Sequence, residues 1–200
     1  MESGVSVIIC CYNSALRIRE TLYHLSLQKS DACPAWEIII VDNNCSDNTV
    51  AIAEKCKSEF NLTNLIVIRE QNPGLMNARL AGGKKAKYSI LSFIDDDNLM
   101  EEKWVEKVYS IFSVYPDVSV CGGSSTAKTE HTPPIWFNEF SFAYAVGKQQ
   151  ERSGYVDKQR GFLWGAGLSV RKEAWVEVQS AHDMFYLTGR KGKSLSAGED

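Results

Sequence analysis

The chain has 200 residues, 44% of them hydrophobic and 24% charged, with 22 lysines and arginines against 25 aspartates and glutamates and a formal net charge of −3. That length admits one substantial α/β domain, and the slightly acidic balance carries no basic footprint, which argues against nucleic acid as the main partner. No apolar run approaches the roughly 20 residues needed to cross a bilayer. The first residues lack the charged start and long apolar core of a signal peptide, so a cytoplasmic location is expected.

Residues 5–10, Val-Ser-Val-Ile-Ile-Cys, are rich in β-branched side chains and open a strand almost at once. Asn13 or Ser14 is placed to cap a helix running to about residue 29, with Leu16, Leu22, Tyr23 and Leu27 as apolar positions. Ala32-Cys33-Pro34 breaks the chain, and 36–41 forms a second, isoleucine-rich strand. The segment 42–47, Asp-Asn-Asn-Cys-Ser-Asp, reads as a turn in which Ser46 caps the next helix, whose inner face carries Val50, Ala53, Cys56 and Phe60. A third strand is expected at 65–68, a turn at Asn72-Pro73-Gly74, and a helix over 75–85. Residues 88–94 make a fourth strand, apolar through Ile90, Leu91, Phe93 and Ile94 as in a strand buried on both faces. It runs without a spacer into Asp95-Asp96-Asp97.

Beyond it, a helix from about 101 to 115 presents Trp104, Val105, Val108, Ile111 and Phe112 before Pro116 stops it. A strand at 118–121 ends in Gly122-Gly123, and 124–134 is a loop by composition. An aromatic-rich stretch spans 135–144, and the polar stretch 147–160 suggests no assignment. A strand-like pattern resumes at 162–170 around Trp164-Gly165-Ala166-Gly167, and 171–179 reads as helical. The last residues, 194–200, close on Glu199-Asp200 without a finishing element and read as a truncated end.

Strands alternating with helices over the first 100 residues imply an α/β fold, a mostly parallel central sheet with helices on both faces. Ligands bind such sheets outside the carboxyl ends of the strands. Four polar segments, 10–13, 42–47, 69–74 and 95–98, fall at those ends. Three adjacent aspartates repel one another where a buried strand surfaces, which calls for a positive partner, and a divalent cation held through oxygen ligands suits it. The bland alternative is a solvated acidic turn. No Gly-x-Gly-x-x-Gly or Walker-type loop follows the first strand, where Cys10-Cys11-Tyr12-Asn13 stands instead. Phosphate recognition would therefore run through a metal. The six cysteines, at 10, 11, 33, 45, 56 and 121, lack metal-ligand spacing and read as free thiols, mostly small buried hydrophobes.

The ordered motifs resemble those of family 2 glycosyltransferases of the GT-A fold, a Rossmann-like architecture. They are Val5-Ser6-Val7-Ile8-Ile9-Cys10-Cys11-Tyr12-Asn13, then 41–49, then Asn72-Pro73-Gly74 with Ala78-Arg79, and Asp95-Asp96-Asp97. Gly165-Ala166-Gly167 with Arg171-Lys172-Glu173-Ala174, and Gly198-Glu199-Asp200, come later in the family's order. The resemblance implies one GT-A domain over 1–200, with 1–100 the nucleotide-binding half and 101–200 the acceptor-side half. It implies that Cys10, Tyr12 and Asn13 edge the nucleotide pocket and that Asp42 and Asn43 face the base. Arg79 would stabilise the pocket or approach the nucleotide. Asp95 and Asp96 would contact ribose or the metal's water shell, Asp95 also counting among the metal residues, and Asp97 would bind Mn2+ or Mg2+ directly. Trp164, Gly165, Gly167 and Glu199 would line the sugar and acceptor side, and Asp200 would be the general base. Many relatives have a second Asp where this chain has Asn43, and usually Pro where it has Cys10, which loosens the link to uracil.

The resemblance implies an inverting transferase. Such an enzyme moves a sugar from a nucleotide-diphosphate donor, UDP-linked in the first instance, to a hydroxyl acceptor in polysaccharide or glycoconjugate synthesis. Lipid-linked acceptors in the family leave room for peripheral association with the inner face of a membrane. Two rivals stand beside it: a sugar nucleotidyltransferase, which usually carries a glycine-rich basic loop after the first strand, and a non-catalytic nucleotide-sugar-binding module. Local alternatives remain as well. Residues 42–47 serve equally as a turn and cap, Arg79 as a solvated helix residue, and Trp164, Trp136 and Phe137 as core or loop anchors. His131 and His182 are lone histidines, more often surface or core than ligands.

Overall fold

The computed structural model describes residues 1–156 and 161–181. In chain order these form β1 (Glu2–Cys11), α1 (Ile18–Ser26), β2 (Trp36–Asp42), α2 (Thr49–Glu59), β3 (Leu65–Arg69), α3 (Leu75–Lys85) and β4 (Tyr88–Ile94). Then come α4 (Trp104–Val114), β5 (Val120–Cys121), α5 (Phe137–Phe140) leading into a 3-10 turn (Ser141–Tyr144), β6 (Leu168–Arg171) and α6 (Lys172–Ala181). The strands form one six-stranded sheet in the order β3-β2-β1-β4-β6-β5. Strands β1 to β4 pair in parallel, whereas β6 runs antiparallel to both β4 and β5. The α/β class and mostly parallel sheet match the expectation from sequence.

A strand covered on both faces needs apolar residues at successive positions, and β1 meets that demand. Val5, Val7, Ile9 and Cys11 join Ile18, Leu22 and Leu25 of α1, Ala53 and Cys56 of α2, and Val105, Val108 and Phe112 of α4 in one buried layer. On the other face Ile8, Ile39, Val41, Leu91 and Phe93 pack with Ala78 of α3, with Ala174 and Trp175 of α6 against them. Each fully buried isoleucine or leucine contributes about 1.5–3 kcal/mol through lost apolar exposure. Helix α3 sits unusually close to the sheet. A Cβ on Gly82 would stand 2.5 Å from Ile8 Cγ2, and one on Gly83 2.7 Å from Trp175 Nε1.

Several local expectations change. Neither Asn13 nor Ser14 caps α1 through its side chain, and the helix begins later, after Arg17. The Arg17 and Ile18 amides donate to the Ser14 carbonyl at 2.9 and 3.0 Å. Asn13 and Ser14 instead reach across to the next loop, with Ser46 N donating to Asn13 Oδ1 at 2.8 Å and Ser14 N to Thr49 Oγ1 at 2.8 Å. Ser46 does not cap α2; Asp47 Oδ1 accepts from Thr49 N at 3.0 Å and from its hydroxyl at 2.5 Å. Leu16 is 96% exposed, and the buried face of α1 is Ile18, Thr21, Leu22 and Leu25.

The expected strands at 118–121 and 162–170 shorten to β5 and β6. Their pairing is bounded by glycines that make room for the Trp104 indole. A Cβ on Gly123 or Gly167 would come within 3.1 or 3.2 Å of that ring. The indole Nε1 donates to Ser92 Oγ at 3.2 Å, and Ser169 Oγ donates to the same hydroxyl at 2.9 Å.

Candidate active site at the carboxyl edge of the sheet

Strand register assembles the site. Cys11 lies opposite Asp42, and Asp42 opposite Arg69. Ile9 lies opposite Ile94, so Asp95 and Asp96 leave the sheet alongside Cys10 and Cys11. Because β6 is antiparallel, with Leu168 opposite Phe93, the chain through Gly165 and Gly167 enters at this same edge. All four polar segments expected at strand ends therefore converge there, joined by one from the second half.

The first two loops lock together. Asn13 adopts a left-handed backbone, φ +54°, which asparagine tolerates better than most residues. Asn43 N donates to the Cys11 carbonyl at 2.9 Å, and the Cys45 thiol donates to the same carbonyl at 3.3 Å. Asp42 Oδ1 accepts from Cys45 N at 2.8 Å, while Oδ2 lies 3.9 Å from Arg69 Nε. Tyr12 stands 54% exposed beside these loops, a flat ring open to a ligand.

Asn43, expected to face the base, has a structural role in the fold. It is buried, and both ends of its amide are taken by the β3–α3 loop. Nδ2 donates to the carbonyls of Glu70 and Asn72 at 3.1 and 2.7 Å, and Oδ1 accepts from Gly74 N at 2.9 Å. An amide is the side chain that can both donate and accept in this way, so Asn43 holds the loop in place.

The three aspartates also separate. Asp95 N donates to Asn98 Oδ1 at 2.9 Å, which closes the turn after β4. Asp96, expected to contact ribose or the metal's water shell, is bound by Arg17 through two hydrogen bonds of 3.2 and 2.7 Å. Asp97 is exposed, its Oδ1 accepting from Asn98 Nδ2 at 3.3 Å. Arg79 is buried, with its guanidinium carbon 5.9 Å from the Phe93 ring centroid, which corrects the solvated alternative. Cys10 lies between charges: desolvation pushes its thiol up to about 12, Arg79 opposes the rise and Asp95 adds to it. Cys10 is thus a neutral wall, while Arg79 and Asp95 share its neighbourhood. All six cysteines are free.

On the second-half side, Gly165 and Gly167 are buried, and Gly167 has φ +75°. Trp164 is half-buried, with its amide donating to Gln149 Oε1 at 2.8 Å and its ring 5.2 Å from that of Phe142. Trp136 is 46% exposed, so it anchors no core, and His131 is exposed. Glu199, Asp200 and His182 lie outside the described residues.

Among the described residues no three His, Cys, Asp or Glu side chains converge as a ready cage for a metal. An exposed Asp97 beside Asp95 still fits a Mg2+-type ion, which one or two carboxylates hold when substrate phosphates supply the remaining ligands. Three contributors escaped detection from sequence: Arg17, Thr21 and Asn98. A usable signal existed for Arg17, since a cation at a helix N-terminus opposes the helix dipole and calls for an anionic partner.

Comparison with known proteins bears on this edge. The model of the family described as "Glycosyl transferase family 2" matches residues 6–178. A relative from Staphylococcus aureus, poly-beta-1,6-N-acetyl-D-glucosamine synthase, is 30% identical over 178 residues, covering 88% of this chain and 41% of that protein. The chain thus spans less than half the length of that curated relative. The crystal structure of S. aureus TarS superimposes with a TM-score of 0.66 at 20% identity, covering 89% of this chain and 49% of that one. In complex with UDP-GlcNAc, TarS aligns at 25% identity with a TM-score of 0.54 over 67% of this chain and 37% of its own. The mannosyltransferase PcManGT of Pyrobaculum calidifontis, in complex with GDP-Man and Mn2+, shares the fold with a TM-score of 0.64 at 18% identity, covering 90% of this chain and 47% of that one.

Proposed function

This chain belongs to glycosyl transferase family 2, and on that premise we propose that it moves a sugar, with inversion, from a nucleotide-diphosphate donor to a hydroxyl acceptor. The observation that carries the reading is the convergence of Tyr12, Asp42 and Asp95 to Asp97 on one sheet edge, set by strand register, with the buried Arg79 of α3 against Phe93 of β4. The UDP-GlcNAc complex of TarS supports a UDP-linked donor. The polysaccharide synthase relative supports a saccharide acceptor and a role in polysaccharide or glycoconjugate synthesis.

In this reading Asp42, with one carboxylate oxygen fixed by Cys45 N, presents the other toward the base. Tyr12 borders the base on its open side, and Asp95 meets the ribose. Asp97 and Asp95 hold the divalent ion. A bound Mn2+ or Mg2+ supplies charge stabilisation to the departing nucleoside diphosphate without proton transfer. Arg79, buried against the Phe93 ring, stabilises the Asp-rich pocket or approaches the nucleotide. Gly165 and Gly167, without side chains, let the chain approach the sugar closely, and Trp164 offers a ring to it. An acceptor hydroxyl is a weak nucleophile and needs a general base on the far face of the sugar. Asp200, with Glu199 beside it, takes that role, and a single displacement inverts the anomeric centre. Residues 1–100 act as the donor half and 101–200 as the acceptor half of one domain. Among the described residues no helix is long and apolar enough to cross a membrane, and any contact with lipid-linked acceptors is peripheral in this reading.

Calorimetry of UDP binding with and without Mn2+, on the wild type and on Asp97→Ala, tests it. The wild type is expected to bind UDP more tightly with Mn2+, and Asp97→Ala to lose that gain. Absence of metal-dependent binding of UDP, GDP or dTDP overturns the reading. Release of pyrophosphate instead of a nucleoside diphosphate from a sugar donor would point to a nucleotidyltransferase.

A further inference from the structure

The middle carboxylate of Asp95-Asp96-Asp97 has a partner that no motif called for. Arg17 Nε donates to Asp96 Oδ1 and Arg17 Nη2 to Asp96 Oδ2, at 3.2 and 2.7 Å. This two-pronged pairing fixes orientation as well as distance, because the guanidinium fork is planar. One turn further along α1, the Thr21 hydroxyl donates to the Asp96 backbone carbonyl at 2.7 Å. The start of α1 therefore grips Asp96 by both side chain and main chain. Asp96 is the less exposed partner, its side chain 14% accessible against 46% for Arg17. Asp97 is the next residue in the chain, so the arginine holds the immediate neighbour of the carboxylate that would take the cation.

We infer that Arg17 is a positioning residue for the cation site: by holding Asp96 against α1, it turns Asp95 and Asp97 of the same short segment toward the donor diphosphate and its divalent ion. The inference rests on the metal-dependent reading under Proposed function. Arg17 also gives the middle one of three adjacent like charges a fixed internal partner.

Charge and positioning make opposite predictions for this arginine. By charge alone, deleting a cation beside the carboxylates strengthens metal binding, since one repulsion is removed. By positioning, deleting it frees Asp96 and loosens the segment that carries Asp97. Loss of such an outer-shell partner typically weakens metal binding by 10- to 100-fold. Replacement by lysine separates the two further, since the charge stays while the fork is lost.

The test is a Mn2+ titration of the protein with UDP present, following free Mn2+ by electron paramagnetic resonance, on the wild type, Arg17→Ala, Arg17→Lys and Asp97→Ala. Arg17→Ala is expected to weaken Mn2+ uptake by about tenfold, with Arg17→Lys also weakened and Asp97→Ala showing no specific uptake. A thermal unfolding midpoint for each variant in the absence of ligand serves as the folding control. A half-exposed ion pair contributes little to stability, so the midpoints are expected to stay close to that of the wild type. Unchanged or tighter Mn2+ uptake by Arg17→Ala overturns the inference while leaving the proposed function intact. So does a loss of uptake in proportion to a fallen midpoint. No uptake by the wild type overturns both.

Discussion

The two ends of the sheet differ in how they are held. From β3 to β4, four parallel strands carry buried side chains on both faces, with Ile8, Ile9, Ile38, Ile39, Ile40 and Leu91 fully inaccessible. Beyond β4, among the described residues, the sheet continues through four-residue β6 and two-residue β5. The chain between those two strands leaves Ile135 fully exposed and Phe140, Phe142, Tyr144 and Phe162 at least half exposed. A cavity of about 620 Å³ lies there too, lined by Cys121, Gly122, Gln149 and Tyr155 among others, away from the three aspartates. The first region fixes the residues at its carboxyl edge through sheet register, whereas the second offers surface. Their shared edge therefore joins a wall fixed by strand pairing to one whose surface is free to vary.

The comparison breaks first if the parallel region is not the source of stability. Leu91→Ala empties a fully buried position between α3, α6 and β1. It is expected to cost about 3 kcal/mol, read as a lower urea midpoint at unchanged slope. A loss below about 1 kcal/mol, the scale of ordinary surface changes, would contradict the packing described.

Asn43→Asp sharpens the comparison at the site itself. The change sets a carboxylate against the carbonyls of Glu70 and Asn72 and keeps the Gly74 bond. An expected cost of about 2 kcal/mol comes from two lost donor bonds and a partly buried charge facing acceptors. A neutral result in chemical denaturation means that the loop does not depend on the amide.

The ordering of these effects explains what could be read in advance. The alternation of strand and helix and the convergence of 10–13, 42–47, 69–74 and 95–98 were legible because β-branched runs and turn residues report local backbone state. What eluded the sequence lies in cross-chain bonds. Asn13 pairs with Ser46, Asn43 with the 70–74 loop, and Asp96 with Arg17, 79 positions away. Each of these polar residues had a plausible local use as a cap or ligand, and only tertiary geometry decides which partner it takes. Residues 147–156 carry neither periodicity nor turn signals strong enough to assign; there Gln149 bonds to the Gly123 carbonyl at 2.7 Å and to Trp164 N.

The seam between the regions is the next target. Gly167 has φ +75° and a missing Cβ that would meet the Trp104 ring at 3.2 Å. Gly167→Ala is expected to cost about 1.5 kcal/mol, mostly from the left-handed backbone. Trp104 fluorescence reports whether the indole is displaced.

A pH series isolates one cysteine of the sheet's carboxyl edge. The Cys10 thiol has an ordinary value of 9.0 and is pushed up to about 12 by burial. Above pH 9 the unfolded chain releases this proton while the folded chain keeps it, so stability is full below pH 9 and declines toward pH 12. Between pH 8 and pH 10 this one group is expected to remove about 1.4 kcal/mol. Cys10→Ala should flatten the alkaline fall in urea midpoint by that amount. An identical fall in the variant assigns the loss to other groups.

The smallest effect expected is the most diagnostic of the second region. Ile135 is fully exposed, and Phe140 touches Trp136 edge-on with ring centres 6.4 Å apart at the surface. Such residues bury little area on folding, so their truncation has little transfer energy to lose. Ile135→Ser is therefore expected to shift stability by less than about 0.5 kcal/mol, and Phe140→Ser by little more. Should either lower the urea midpoint as far as Gly167→Ala does, the aromatic stretch is packed against the protein in solution, and the second region is a fixed structure like the first. If both leave stability unchanged but alter the rate of sugar transfer, the exposed side chains act through contact with the acceptor, and the contrast between a buried frame and an open wall holds.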